Sequence, residues 1–90
     1  MVRFVWDPKK AKANVRKHHV EFADAATVFA DPLALVIEDA AQPERTAVIG
    51  MSLRQRLLYV VFVEIGEDRV RMISARRATP HERKRHEEGE

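Results

Sequence analysis

Leu57-Leu58-Tyr59-Val60-Val61-Phe62-Val63-Glu64-Ile65, then Gly66-Glu67-Asp68, then Arg69-Val70-Arg71-Met72-Ile73-Ser74-Ala75-Arg76-Arg77 is the stretch whose reading decides the fold. Its first part, beginning at Gln55 or Arg56 and ending at Ile65, is the longest apolar segment of the chain. The nearly unbroken run suits a central strand covered on both faces. Three residues are too few for a parallel crossover, so Arg69–Arg77 must return antiparallel beside it. Upstream, Arg45–Met51 is rich in β-branched residues and closes at the turn region of Gly50–Ser52. Leu33–Glu38 precedes it as a strand with Leu33, Leu35 and Ile37 on one face, and Asp39–Pro43 is the polar connection between them.

The remaining segments punctuate themselves as helices. After a short first strand, Arg3–Trp6, Asp7 as N-cap and Pro8 at the first helical position open a helix to about Lys17 or His18. Ala11, Val15 and His18 trace its thin apolar stripe, while Lys9, Lys10, Lys12, Arg16 and Lys17 cover the rest as a solvated or nucleic-acid-facing surface. A second helix spans Glu21 or Phe22 to Phe29, with Phe22, Ala25, Ala26 and Phe29 at helical spacing and Asp31-Pro32 as its stop. At the far end Thr79, Pro80 and Glu82 form the signature of a capping box and start a short last helix. The sum is an α+β fold over residues 1–90 as one domain. Two N-terminal helices pack in one layer on a four- to five-stranded antiparallel sheet, and a short C-terminal helix follows.

Ninety residues, 46% hydrophobic and 33% charged, suffice for one modest core, since a chain this long buries roughly two-thirds of the surface it exposes when unfolded. The absence of cysteine excludes disulfides, thiolate metal sites and thiol nucleophiles, and fits a reducing cytoplasm. No apolar run approaches the roughly 20 residues of a membrane span, so a soluble protein without a secretion signal is expected. The net charge of +2 conceals segregation: residues 1–20 carry +5, 21–51 carry −5, 52–79 carry +3 and 80–90 carry −1. Such polarity implies a basic face suited to nucleic acid or to an acidic protein segment.

The chemistry available is narrow. His18 and His19 are adjacent and His81 and His86 stand five apart, spacings that make no metal site, and no phosphate-binding glycine loop or dinucleotide fingerprint occurs. No cofactor is expected. Arginine is abundant, and RNA cleavage asks for little else, because the 2′-hydroxyl of the substrate supplies the nucleophile. Arg54, Arg76 and Arg77 are the candidates for stabilising the scissile phosphate through bidentate hydrogen bonds, unless they spend themselves on Glu44, Glu64 or Glu82. His18 is the candidate proton carrier, with Glu44 or Glu82 as carboxylate alternatives. Lys17, Arg71 and Arg83 add RNA-binding charge, while Lys84, Arg85 and His86 read as solvated tail or partner-facing residues.

Phe4-x-Trp6-Asp7, Lys9, Asn14, Lys17-His18, Phe22-x-x-Ala25, Val28-Phe29-x-Asp31-Pro32, Glu44-Arg45, Ile49-Gly50 and Ile73-Ser74-Ala75-Arg76-Arg77-Ala78-Thr79 with Glu82-Arg83 together resemble the BrnT family, over essentially the whole chain. The resemblance implies a toxin of a bacterial type II toxin–antitoxin system with a RelE/ParE-like fold. It also implies metal-independent ribonuclease activity that blocks translation, on the ribosome or on free messenger RNA. The implied partner is a BrnA-like ribbon-helix-helix antitoxin, which neutralises the toxin and represses the shared promoter with it, so DNA contact runs through the antitoxin complex. Lys17, His18, Glu44, Arg54, Arg76, Arg77 and Arg83 are the positions onto which the family pattern transfers. Two positions depart from it: His19 stands where a left-handed Gly is common, and Glu21 where a Ser cap is usual. A non-catalytic basic binding module and a gyrase-directed toxin on the same fold are the alternatives.

Overall fold

The computed structural model describes residues 2–38, 42 and 44–89, so most of the expected Asp39–Pro43 connection lies outside the described residues. The elements run β1 (Arg3–Val5), α1 (Pro8–His18), α2 (Phe22–Ala26), a 3-10 turn (Thr27–Ala30), β2 (Leu35–Glu38), β3 (Thr46–Met51), β4 (Leu57–Ile65), β5 (Arg69–Arg77) and α3 (Pro80–Glu88). They form a five-stranded sheet in the order β1-β5-β4-β3-β2. β2 to β5 make the antiparallel meander that their short connections demand. β1 departs from the expected antiparallel sheet: it joins the edge parallel to β5, Arg3 opposite Arg69 and Val5 opposite Arg71. The intervening chain crosses over the sheet through α1 and α2, which is what makes a parallel neighbour reachable.

One face of the sheet presents Val48, Leu58, Val60, Phe62, Met72 and Ala75 to Val20, Phe22, Ala25 and Val28, all buried in one core cluster. Phe29 bridges Phe4 and Phe62, its ring centroid 5.1 and 4.9 Å from theirs, and Trp6 meets Phe22 edge-on at 5.9 Å. Gly50 lets the 3-10 turn approach β3. A β-carbon there would stand 3.0 Å from both the Val28 β-carbon and its carbonyl oxygen. That close approach ends the second helix as a five-residue α segment followed by 3-10 geometry, shorter in its α part than the apolar spacing suggests.

The other face is only partly covered, so β4 is not buried on both sides as its composition suggests. Leu58, Val60 and Phe62 are buried, whereas Tyr59, Val61 and Val63 are half-exposed. Ile49 and Leu57, also on this second face, are buried where α3 packs against β3. The helices therefore flank the sheet on both faces, and the single helical layer expected from the sequence is corrected. α3 gave no sign of this because it carries no apolar stripe. Smaller corrections follow from backbone geometry. Leu33 lies outside β2 and is 70% exposed, and Gln55 takes a left-handed φ of 62° in the loop, so that β4 begins at Leu57.

Within α1, Val15 is exposed and Asn14 takes the inward position. The reason lies at the sheet edge. β1 pairs with β5 only as far as Arg71, so the outward N–H and C=O of Ala75 lack a strand partner. The Asn14 amide supplies one: Nδ2 donates to the Ala75 carbonyl at 2.8 Å and to the Val20 carbonyl at 2.9 Å, and Oδ1 accepts from the Ala75 N–H at 3.1 Å. A buried amide is tolerated here because it satisfies buried backbone groups that would otherwise be orphaned. α1 ends at His19, whose φ of 59° is the left-handed cap, and Glu21 caps α2 by position alone, its side chain making no capping hydrogen bond. The end of α1, α2 and the start of α3 meet at the end of the sheet where Met51, Leu57 and Arg77 lie.

Candidate active site

β5 is interrupted by a bulge at Ile73: Met72 pairs with Phe62 and Ser74 with Val61, leaving Ile73 unpaired. The extra residue places Ser74 and Arg76 together on the second face and turns Arg77 to the helix-covered face, opposite Leu58. Arg76 lies opposite Tyr59, and its guanidinium carbon sits 4.2 Å from the centroid of that ring. The Thr79 capping box fixes the start of α3 and aims Glu82 back at the strand: Thr79 Oγ1 accepts from the Glu82 N–H, and Glu82 Oε1 from the Thr79 N–H. The same carboxylate then takes Arg76 Nη1 at 2.8 Å and Nη2 at 2.9 Å.

This geometry leaves one side of Arg76 open. Nη1 gives its second hydrogen bond to the Arg77 carbonyl at 3.2 Å. Three of the five guanidinium N–H groups are therefore engaged, and Nε–H with the remaining N–H of Nη2 forms a second fork with no partner among the described residues. A fork of this kind matches two oxygens of a phosphate. The hydrogen bond to Glu82 raises the Arg76 pKa despite partial burial, and the one from Arg76 holds the Glu82 carboxyl below its ordinary value. Both members stay charged across the physiological range.

The other expected arginine, Arg54, reaches Glu21 at 3.4 Å with both side chains more than half exposed, an ion pair worth about 0–1 kcal/mol. Its neighbour Arg56, not singled out in the sequence, makes the tighter contact: Nη2 and Nε meet Asp24 Oδ2 at 2.8 and 3.3 Å, and Nη1 donates to the His19 carbonyl at 3.0 Å. Burial pushes the Asp24 carboxyl up, but the hydrogen bonds from Arg56, Ser52 and the Arg54 backbone outweigh it and hold the group below the usual carboxylate range. Arg56 thus belongs to the architecture, tying α1, α2 and the loop before β4 together. Sequence reasoning missed it because Arg56 and Asp24 are 32 residues apart.

His18 borders a depression of about 200 Å³ between α1 and the bulged part of β5, shared with Lys17 and Ser74. Since Ser74 and Arg76 lie on one face two residues apart, the histidine and the open arginine fork flank the same stretch of β5. Arg77 is exposed, and its guanidinium has no partner among the described residues. Glu44 is not brought to this site. It stands two residues before Thr46, which pairs with Phe62 three residues, about 10 Å along the strands, from the Tyr59–Arg76 pair. Arg71 shares that distant end, and Arg83 lies exposed on α3.

His86 is no tail residue. Its Nε2 stands 3.0 Å from Asp31 Oδ2, with both side chains about nine-tenths buried, and Asp31 also accepts the Leu33 and Met51 N–H groups. Burial pushes the Asp31 carboxyl up, but those backbone hydrogen bonds and the His86 contact hold it low. The link pins the end of α3 as Glu82 pins its start. Among the described residues no three His, Asp or Glu side chains converge as a metal site would require.

Residues 6–82 match the family model described as the ribonuclease toxin, BrnT, of type II toxin–antitoxin systems. The chain belongs to the BrnT toxin family. The crystal structure of the Brucella abortus ribonuclease toxin BrnT superposes with a TM-score of 0.72 at 27% identity, covering 88% of this chain and 99% of that one. No curated protein sequence matches it. The matched family range takes in α1, the whole sheet after β1 and the Arg76–Glu82 pair, so the site built above lies within the family domain.

Proposed function

We propose that this BrnT family member is a metal-independent endoribonuclease that arrests translation in the bacterial cytoplasm. A BrnA-like ribbon-helix-helix antitoxin neutralises it and represses the common promoter with it. The open Nε/Nη2 fork of Arg76, oriented by Glu82 and backed by Tyr59, is the observation that carries the reading. It is a preorganised bidentate donor for phosphate, and preorganised donors of this kind stabilise developing charge without reorganising during the reaction. Arg77 and Arg54 add positive charge at the same end of the sheet.

In the reaction the 2′-hydroxyl oxygen attacks phosphorus, the bond to the 5′-oxygen breaks, and the products are a 2′,3′-cyclic phosphate and a 5′-hydroxyl. The arginines hold the extra negative charge of the five-coordinate phosphorus. His18, which shares the depression beside β5 with Ser74, takes the 2′-hydroxyl proton, and water supplies the proton to the leaving oxygen. Glu44 stands too far along the sheet for this step.

Purified protein treated with EDTA is expected to cleave RNA to cyclic-phosphate ends, and Arg76→Ala is expected to abolish most of that cleavage. Cleavage that survives both Arg76→Ala and Arg77→Ala rules out the assignment. Growth arrest without any RNA cleavage favours the gyrase-directed alternative.

A further inference from the structure

Three of the depressions on the surface of the described residues differ in the charge of their linings. The largest of these three, about 540 Å³, lies between α1 and α2 and is lined mainly by apolar groups, with Lys12, Arg16 and Glu21 among its lining residues. The second, about 380 Å³, includes Glu64, Glu67 and Asp68. The third, about 200 Å³, has Lys10, Lys17 and His18 on its rim and no carboxylate among its lining residues. At positions 10, 13, 14, 17 and 18 the α1 contributors are spaced i, i+3, i+4, i+7 and i+8, one continuous helix face.

We infer that this third depression is a subsite for a backbone phosphate of the RNA, next to the phosphate held by Arg76. The inference rests on the ribonuclease reading above. Lys10 and Lys17 form no ion pair among the described residues, so their charge is uncommitted. Asn14 spends its amide on Ala75 and Val20, and with Ala13 beside it the floor carries no competing charge. The bulge at Ile73 sets Ser74, a hydroxyl donor, on the β5 side of the depression.

Size and spacing agree with that assignment. The volume falls below the roughly 300–1,000 Å³ of sites that enclose a whole small molecule, which fits a phosphate with part of a ribose and leaves the base outside. Ser74 and Arg76 are separated by two strand residues, about 6.6 Å, a spacing that an extended RNA backbone spans from one phosphate to the next.

The test uses a 2′-O-methyl RNA oligonucleotide, which binds without being cleaved, and follows its affinity against salt by fluorescence anisotropy. Replacing Lys10 and Lys17 together by Ala is expected to weaken binding on the order of tenfold. It is also expected to reduce the slope of log affinity against log salt by about 0.7, the loss of one single-strand phosphate contact. Lys12→Ala with Arg16→Ala removes the same charge from α1 on the side of the larger depression, and should leave the slope within half that change. An oligonucleotide with a neutral methylphosphonate beside the scissile position should lose affinity in the wild type and lose no more in the Lys10/Lys17 variant. Equal effects of the two lysine-bearing pairs, or an unchanged slope because the depression holds an acidic peptide instead, overturn the subsite while wild-type binding keeps the ribonuclease reading intact. Wild-type protein that binds no RNA overturns that reading itself.

Discussion

Two arginine–carboxylate pairs stand at the same end of this sheet and are built for opposite purposes. Arg56 and Asp24 are 15% and 7% exposed, and Arg56 also holds a backbone carbonyl while Asp24 takes bonds from Ser52 and the Arg54 N–H. Arg76 and Glu82 are 36% and 15% exposed, and Arg76 keeps one donor fork unspent over an aromatic ring. A buried pair whose groups are all engaged fixes the positions of helices and loops. A half-exposed pair with donors left over positions a charge for something outside the protein. Ion pairing alone therefore does not separate structural arginines from functional ones; the count of unused donors does.

The largest effect should come from breaking the buried pair. Asp24→Ala leaves the Arg56 guanidinium without its counter-charge and frees the loop before β4, at an expected cost of about 3–5 kcal/mol. The midpoint of urea unfolding measures it. A loss below about 1 kcal/mol would mean that the pair is hydrated and that the contrast drawn above is false.

Arg76→Ala should divide stability from activity. RNA cleavage is expected to fall by about 10²–10³, the usual cost of one preorganised charge-stabilising donor. Stability should fall by only about 1 kcal/mol, for an ion pair and a ring contact that are both partly exposed. Arg56→Ala should show the reverse pattern, with unfolding affected more than the turnover of the folded fraction. If both variants lose stability and activity in the same proportion, the two pairs are equivalent.

How legible these features were in the sequence depended on the range of the interaction. The β3 to β5 meander was readable because its connections are short, and the α1 and α3 starts because Asp7-Pro8 and Thr79-Pro80 with Glu82 act within one turn. Arg76 and Arg77 could be singled out from their place at a strand end, and the Glu82 pairing could be entertained because it is six residues away. The parallel docking of β1, the Asn14 bridge to Ala75 and the Asp24–Arg56 pair link residues 32 to 66 apart, and no local pattern encodes them. The docking of α3 was illegible for a different reason: it runs through two polar links, Arg76–Glu82 and His86–Asp31, and hydrophobic periodicity has nothing to register.

Acid should weaken both ends of that docking. Asp24, Asp31 and Glu82 all have folded-state pKa values below their unfolded ones. Each contributes stability that is present above the unfolded value near pH 4 and is lost as pH falls through the folded one. The melting temperature should therefore be level from about pH 7 to 5 and fall below about 4. Glu82→Gln should make the fall shallower by removing one of the three groups; a profile identical to wild type would show that Glu82 contributes nothing to acid stability.

The smallest expected change concerns His19, the left-handed cap of α1. Its φ of 59° costs a residue with a β-carbon about 1–2 kcal/mol, against about 0.5–1 kcal/mol of chain entropy that a glycine loses on folding. His19→Gly should thus stabilise the protein by about 0.5–1 kcal/mol, read from the urea midpoint. Arg56 bonds only the backbone carbonyl of His19, so the structural pair survives the substitution, and His18 keeps its place on α1. Cleavage should then stay at the wild-type level. A drop in activity with a gain in stability would instead show that the imidazole of His19, exposed beside His18, takes part in the reaction, moving the division between structural and functional groups by one residue.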